Sequence, residues 1–359
     1  MLNFTVGPVM SSDAVRAIGA EQVPYFRTAE FSELMLENER FIKKFAHATD
    51  DSRVVFLTCS GSGGMEASIM NCLDKDDKAL VVNGGSFGER FVELLLLHGI
   101  PFTEIKLEHG KALKPEHLTP FEGQGYTAFL IQKHETSTGV HYDIKLVSDF
   151  CKRNGCFLIV DTISTFLCDP FDMAELDVGV MITGSQKALA CPPGIAVMIL
   201  APSALERIER VKCCCQYLDL KLALKNQERG QTPWTPAVGV LRQINVRLKE
   251  IDAAGGDKAE IERTARLANY FRNKIKEQHL PFEIISESLS NAVTPLHPIT
   301  QSAFEIFLKI KDEYGMWICP NGGDMKDTVF RVGHIGCLTE KNYDQLIDAF
   351  LDLKRKKFI

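Results

Sequence analysis

The chain has 359 residues, 45% of them hydrophobic and 25% charged, enough for a sizeable core and more than one average domain. Its formal net charge of -6 leaves no electrostatic footprint for nucleic acid or an anionic membrane surface, so small molecules are the expected ligands. The opening Met1-Leu2-Asn3-Phe4-Thr5-Val6-Gly7-Pro8 lacks a basic stretch ahead of a long apolar run, and the apolar run at 92–97 is too short to cross a bilayer. Neither a signal peptide nor a membrane helix is expected, and a cytoplasmic protein is.

Through the first half, short β-branched runs alternate with amphipathic segments, the pattern of β-α-β units around a mainly parallel sheet. Seven strands are predicted at residues 54–58, 79–83, 102–107, 128–132, 157–161, 178–183 and 195–200. Three of them run into polar or glycine-rich loops: Cys59-Ser60-Gly61-Ser62-Gly63-Gly64, Asn83-Gly84-Gly85-Ser86-Phe87-Gly88 and His134-Glu135-Thr136-Ser137-Thr138-Gly139. Open α/β sheets bind ligands at the carboxyl ends of their strands, so a site is expected where these loops meet. A helical stretch over 202–225 precedes the loop Gly230-Gln231-Thr232-Pro233-Trp234-Thr235-Pro236 and a further helical pattern. Beyond Gly255-Gly256 come a charged helix over 257–278, strands near 282–286, 317–319 and 329–333, and helices over 301–314 and 339–356. The expected division is an N-terminal arm 1–15, a large domain 16–254 and a small α+β domain 255–359.

The cysteine count of 11 is odd and the cysteines are scattered, which reads as reduced thiols rather than a disulfide framework. Three consecutive residues, Cys213-Cys214-Cys215, point in different directions on a helix or strand and cannot surround one zinc ion, so no metal site is expected.

The strand Phe157-Leu158-Ile159-Val160 ends in Asp161, a carboxylate at the sheet's ligand edge that needs a cationic partner. After another apolar strand, Thr183-Gly184-Ser185-Gln186-Lys187 places a lysine among small residues that can border the same cleft. A partly desolvated lysine loses its proton and forms an imine with a carbonyl. The cofactor that needs a lysine imine at one end and an acid for a ring nitrogen at the other is pyridoxal 5′-phosphate, PLP. Taken singly, Asp161 reads as a helix N-cap and Lys187 as a solvated charge; together with the loops they read as a site.

PLP also carries a phosphate, and Ser60-Gly61-Ser62 lies between a strand and a helix predicted to start near Met65, where free N–H groups attract anions. The same glycines also suit a plain tight turn. Phe87, in the next strand-to-helix loop, is placed either to stack on an aromatic ring or to pack in the core. In Phe330-Arg331-Val332-Gly333 an arginine sits inside an apolar strand. It calls for a partner, either a substrate carboxylate held bidentately or an interdomain salt bridge.

Almost the whole chain resembles the class V, fold type I PLP aminotransferases, in particular the alanine–glyoxylate and serine–pyruvate group, with 2-aminoethylphosphonate transaminases close by. The resemblance rests on Phe4-Thr5-Val6-Gly7-Pro8, Phe26-Arg27-Thr28-Ala29-Glu30-Phe31, His134 to Val140 and, most specifically, Gly184-Ser185-Gln186-Lys187-Ala188-Leu189 followed by Pro192-Pro193-Gly194. It implies an α/β fold with a mainly parallel seven-stranded sheet flanked by helices, plus a small C-terminal α+β domain. It further implies that Lys187 is the Schiff-base lysine and Asp161 the partner of the pyridine nitrogen. Phe87 takes the ring-stacking place, Ile163 the other ring face, Thr136 the ring hydroxyl, and Ser60, Gly61, Ser62 and Gln186 the phosphate. Arg331 holds the substrate carboxylate, and Thr235 reaches the phosphate across a homodimer interface, so each active site draws on two subunits. Thr232 stands where relatives often carry a tyrosine, and Trp234 is placed to shape substrate choice or to pack the interface.

The expected activity is transfer of an amino group from an amino acid or related amine to a small 2-oxo acid such as pyruvate or glyoxylate, by a ping-pong cycle. A lyase of the cysteine desulfurase type is the alternative. It calls for a histidine before the lysine and a mobile cysteine, whereas this chain has Gln186 and, beside a predicted helix start, Cys337. A non-catalytic PLP-fold module has no need of Lys187, Asp161 and Arg331 together.

Overall fold

A strand covered on both faces reads as a nearly continuous apolar run, and Ala79–Asn83, Ala128–Gln132, Phe157–Asp161, Val180–Gly184 and Ala196–Leu200 are buried at all five residues. In the computed structural model, which describes residues 1–359, they join Arg53–Leu57 and Phe102–Lys106 in one seven-stranded sheet. The strand order is 53–57, 196–200, 180–184, 157–161, 128–132, 79–83, 102–106. Only the 196–200 strand runs antiparallel to its neighbours. Side chains alternate between the two faces: Leu158 and Val160 enter one apolar cluster with Leu80, Val82 and the helix residues Met35 and Ile42, while Ile159 enters another with Val81, Met65 and Phe91.

A second, four-stranded antiparallel sheet is ordered 282–284, 293–298, 330–333, 319–320. It packs with helices Gly256–Glu277, Ala303–Tyr314 and Glu340–Arg355 around a third apolar cluster. Phe4 belongs to this cluster, and Leu2–Asn3 pairs in parallel with Met316–Trp317. The first residues of the chain therefore lie against its last hundred.

Several expectations need correction. Residues 202–225 are two helices, Pro202–Arg210 and Leu220–Gln227. Cys213, Cys214 and Cys215 fall in the irregular segment between them, with Cys214 exposed. The helix expected near Met65 begins at Gly61, and Phe87 lies in the first turn of helix Ser86–Leu97 rather than in a loop. The strand Val293–Pro298 was not foreseen, because Pro295 and Pro298 remove ladder donors and proline normally marks a strand's edge. The helix Ala29–Phe45 was not foreseen either; Thr28 caps it, and Phe31, Met35, Ile42 and Phe45 form its buried stripe.

The two sheets are joined along a polar seam. Asp169 accepts hydrogen bonds from Ser290 Oγ and, at 2.9 Å, from Asn291 N, while Asn291 Nδ2 donates to Cys168 O. His141 N donates to Ser288 O and Glu287 N to Gly110 O. Because Asp169 and Ser290 are buried, replacing Asp169 with alanine is expected to lower the unfolding free energy by about 1–3 kcal/mol. Urea titration reads this, and an unchanged midpoint would deny the seam a stabilising role.

Candidate active site

Five carboxyl-terminal strand ends meet on one edge of the main sheet, carrying the loops of Ser60, Phe87, Thr136, Asp161 and Lys187. Between strands 79–83 and 128–132 the chain's winding changes direction, the point at which open α/β sheets characteristically bind ligands.

Asp161 closes its strand opposite Gln132 on one side and Ile182 on the other. Its carboxylate accepts one hydrogen bond, from Ile163 N at 2.7 Å, and pairs with no cation. Burial pushes its acid up to about 7, with the charge of Glu135 adding to the effect and Lys187 and Arg90 opposing it. Lys187 projects from the loop after strand Val180–Gly184. Ser185 braces that loop, its hydroxyl donating to Pro192 O at 2.7 Å and accepting from Ile195 N. The Lys187 amine has no hydrogen-bond or ion-pair partner, and burial brings it down to about 8. From the other side the N-terminal segment closes in: a Cβ on Gly7, whose φ is +142°, would lie 2.8 Å from Lys187 Cδ.

Ser60 is the N-cap of helix Gly61–Cys72 and makes no side-chain cap bond. Its hydroxyl and the N–H groups of Gly61 and Ser62, which precede the first intrahelical acceptor, are unengaged. Gln186 is half-buried beside Lys187. Phe87 and Ile163 are both half-buried, and the Arg90 guanidinium lies 5.0 Å from the Phe87 ring centre. Thr136 donates to Ser164 Oγ at 2.9 Å.

Arg331 forms no salt bridge. Its Nη1 donates to Thr136 O at 2.9 Å and its Nη2 to Pro320 O at 2.7 Å, while its buried Nε has no partner. Of the two readings open for this residue, the interdomain ion pair is not formed. Trp234 and Thr235 are exposed and line a hollow with Phe56, Leu57 and Thr58, at the end of the strand that leads into the Ser60 loop. Trp234 stacks on Tyr217 at a centroid distance of 6.3 Å, and Thr232 Oγ1 donates to Trp234 O. Arg27 Nη1 fastens the same loop through Thr232 O and Gln231 Oε1.

Sequence reasoning missed Glu135, Ser164 and Asn321. Glu135 is fully buried and accepts from Phe87 N, Gly88 N, Gln132 Nε2 and Ser137. Ser164 bonds both Thr136 and His134, and Asn321 Nδ2 donates to Ser137 O. The only available signal was the polar string 134–139 itself, which says nothing of which way each side chain faces.

The residues fit PLP. A neutralisable amine, an acid held near neutrality, a helix N-terminus with free donors and an arginine with an orphaned nitrogen surround one edge of the sheet. Fold and site together define a PLP-dependent transaminase. Residues 22–280 match the model of the family described as aminotransferase class-V, and the chain belongs to that family. It is 29% identical to the soluble hydrogenase 42 kDa subunit of Anabaena cylindrica, over 94% of this chain and 88% of that one. It is 27% identical to the L-aspartate–glyoxylate aminotransferase of Paracoccus denitrificans, over 94% and 87%. Among solved structures, the subgroup IV aspartate aminotransferase of Thermus thermophilus superposes with a TM-score of 0.91 at 25% identity, covering 99% of each chain.

An acid raised in the folded state contributes stability that is fullest below about pH 4 and is lost as pH climbs through about 7. Cofactor-free Asp161→Asn protein is therefore expected to exceed the parent in stability at pH 8, by on the order of 2–4 kcal/mol. The advantage should shrink toward pH 4. Paired denaturant titrations at the two pH values test this; a difference that does not vary with pH contradicts it.

Proposed function

We propose that this transaminase moves an amino group from an amino acid or related amine to a small 2-oxo acid such as pyruvate or glyoxylate, in two half-reactions with the first product leaving before the acceptor enters. The observation that carries the reading is that Lys187 and Asp161 are buried close enough to act on each other's charge yet form no ion pair, while Arg331, which also acts on Lys187, has a buried Nε without a partner. The Paracoccus relative, named for aspartate and glyoxylate, supports the substrate class.

Bound PLP supplies an electron sink that makes the substrate's Cα proton labile. Lys187 Nζ is the covalent anchor and, with its proton affinity lowered to about 8, can take the proton from Cα and return it elsewhere near neutral pH. Asp161 holds the proton on the ring nitrogen. Phe87 and Ile163 cover opposite faces of the ring, and Thr136 orients its hydroxyl. Ser60, Gly61, Ser62 and Gln186 hold the phosphate through the hydroxyl and N–H donors at the helix start. Arg331, already aimed by two carbonyls, takes the substrate carboxylate. The lyase alternative loses support, because Cys337 is half-buried and anchored through its N–H to Met10 O.

In the same reading, residues 1–15 form an arm, 16–254 the cofactor domain and 255–359 the small domain that brings Arg331. Two copies pair, each placing Thr235 at its neighbour's phosphate and Trp234 beside the neighbour's substrate. A groove of about 740 Å³ lined by Val23, Tyr25, Thr235 and Val240 supports this, since Val23 is 61% and Tyr25 70% exposed. The free thiols, eleven in all, suit a reducing, cytoplasmic compartment.

Borohydride reduction followed by peptide mapping is expected to tag Lys187, and Lys187→Ala to lower turnover by about a thousandfold or more. An untagged Lys187, or a variant that still turns over, overturns the assignment. Arg331→Ala is expected to raise KM for the amino acid by about 10- to 100-fold, with a smaller effect for amines that lack a carboxylate. Equal losses for both kinds of donor would deny it that role. Trp234→Ala, screened over amino donors with pyruvate and with glyoxylate, is expected to change the ranking of donors; an unchanged ranking would confine Trp234 to packing.

A further inference from the structure

Glu135 is a fully buried carboxylate for which the reaction above has no use. A charge in such a place is costly unless hydrogen bonds replace its water. Here they do so from three directions. Phe87 N and Gly88 N, at the start of helix Ser86–Leu97, reach one oxygen at 3.2 and 3.0 Å. Gln132 Nε2, from the strand beside Asp161, reaches the same oxygen at 2.9 Å. Ser137 meets the other oxygen with its backbone N–H at 3.2 Å and with its hydroxyl, and that hydroxyl in turn accepts from Ser86 N at 3.1 Å.

The packing leaves no slack. A Cβ on Gly85 would lie 2.7 Å from the Glu135 carboxyl carbon and 2.4 Å from Ser137 Oγ. Glu135 therefore ties together the helix turn carrying Phe87, the strand next to Asp161, and the turn carrying Thr136. Through Thr136 O and Ser137 O the last of these is bonded to Arg331 and Asn321. A negative charge at a helix N-terminus is also favourable in itself. Its field reaches Asp161 and the buried Tyr142 hydroxyl, and Lys187 and Arg90 act on Asp161 with the opposite sign. His134, next in the chain, is held neutral by burial, with His141, Lys187 and Arg331 adding to the effect.

We propose that Glu135 is a positioning residue with two separable effects: its hydrogen bonds hold Phe87 and the Thr136–Ser137 turn in register with Asp161, and its charge favours the protonated forms of the groups around the cofactor ring. This rests on the assignment of Asp161, Lys187 and Phe87 to PLP. Neither effect requires Glu135 to touch substrate or cofactor.

The test uses the full-length holoenzyme and its Glu135→Gln and Glu135→Asp variants. PLP dissociation constants are measured by absorbance titration, the pH midpoint of the bound cofactor's visible band is followed, and Tm is recorded. Gln keeps the shape but not the charge. It is expected to weaken PLP binding about tenfold, the loss of one or two charge-assisted bonds, and to move the midpoint down by about half a pH unit or more, because cationic forms lose a nearby anion. Asp keeps the charge at shorter reach, so PLP binding should weaken while the midpoint stays at the parent value. A Gln variant with the parent midpoint overturns the electrostatic effect. An Asp variant that binds PLP as the parent does overturns the positioning effect, and this arm stands even if the Gln variant does not fold. Falling Tm with both other readings unchanged would reduce Glu135 to a structural residue. A parent chain that takes up no PLP would instead defeat the cofactor assignment itself.

Discussion

Desolvation of an acid and an amine at one sheet edge is the constraint on which the site depends. In water Asp161 would be fully ionised and Lys187 fully protonated at pH 7. Burial at the ends of strands covered on both faces brings the first up to about 7 and the second down to about 8. Both groups therefore exchange protons near neutrality, which a proton shuttle and a ring-nitrogen partner need. The two form no ion pair although their strands are direct neighbours, and Asp161 is engaged instead by Ile163 N.

The loop His134–Gly139 ties this chemistry to the rest of the molecule. It is bonded to the helix of Phe87 through Glu135, to the turn after Asp161 through Ser164, and to the small sheet through Arg331 and Asn321. The small sheet is further fastened at Asp169, and the chain's first residues run alongside it toward Lys187. Arg331 is thereby held in register with Thr136 and Glu135 through one short backbone segment.

Much of this was legible in the linear order of residues. The seven strands of the main sheet appear within a residue or two of their predicted positions, because a five-residue apolar run ending in a polar loop has few other physical interpretations. Asp161 and Arg331 stood out as charges set in apolar strands, and Lys187 as a lysine among small residues just after one. Errors arose where local signals conflicted. Pro295 and Pro298 concealed a central strand, the cysteine run interrupted what looked like one helix, and the helix beginning at Gly61 starts with glycines and serines, poor helix formers.

By itself the sequence determined the layer architecture, through residue type and local period, and the choice of cofactor, through the pairing of Lys187 with Asp161 and the family resemblance. Facing and distance were decided only by the tertiary structure. Whether Arg331 is locked in an interdomain ion pair or only aimed by two carbonyls, whether Glu135 points to solvent or to a helix N-terminus, and how far Asp161 and Lys187 depart from their ordinary proton affinities depend on segments dozens to hundreds of residues apart. Burial and hydrogen-bond partnership are properties of that assembled surrounding, and no local pattern encodes them.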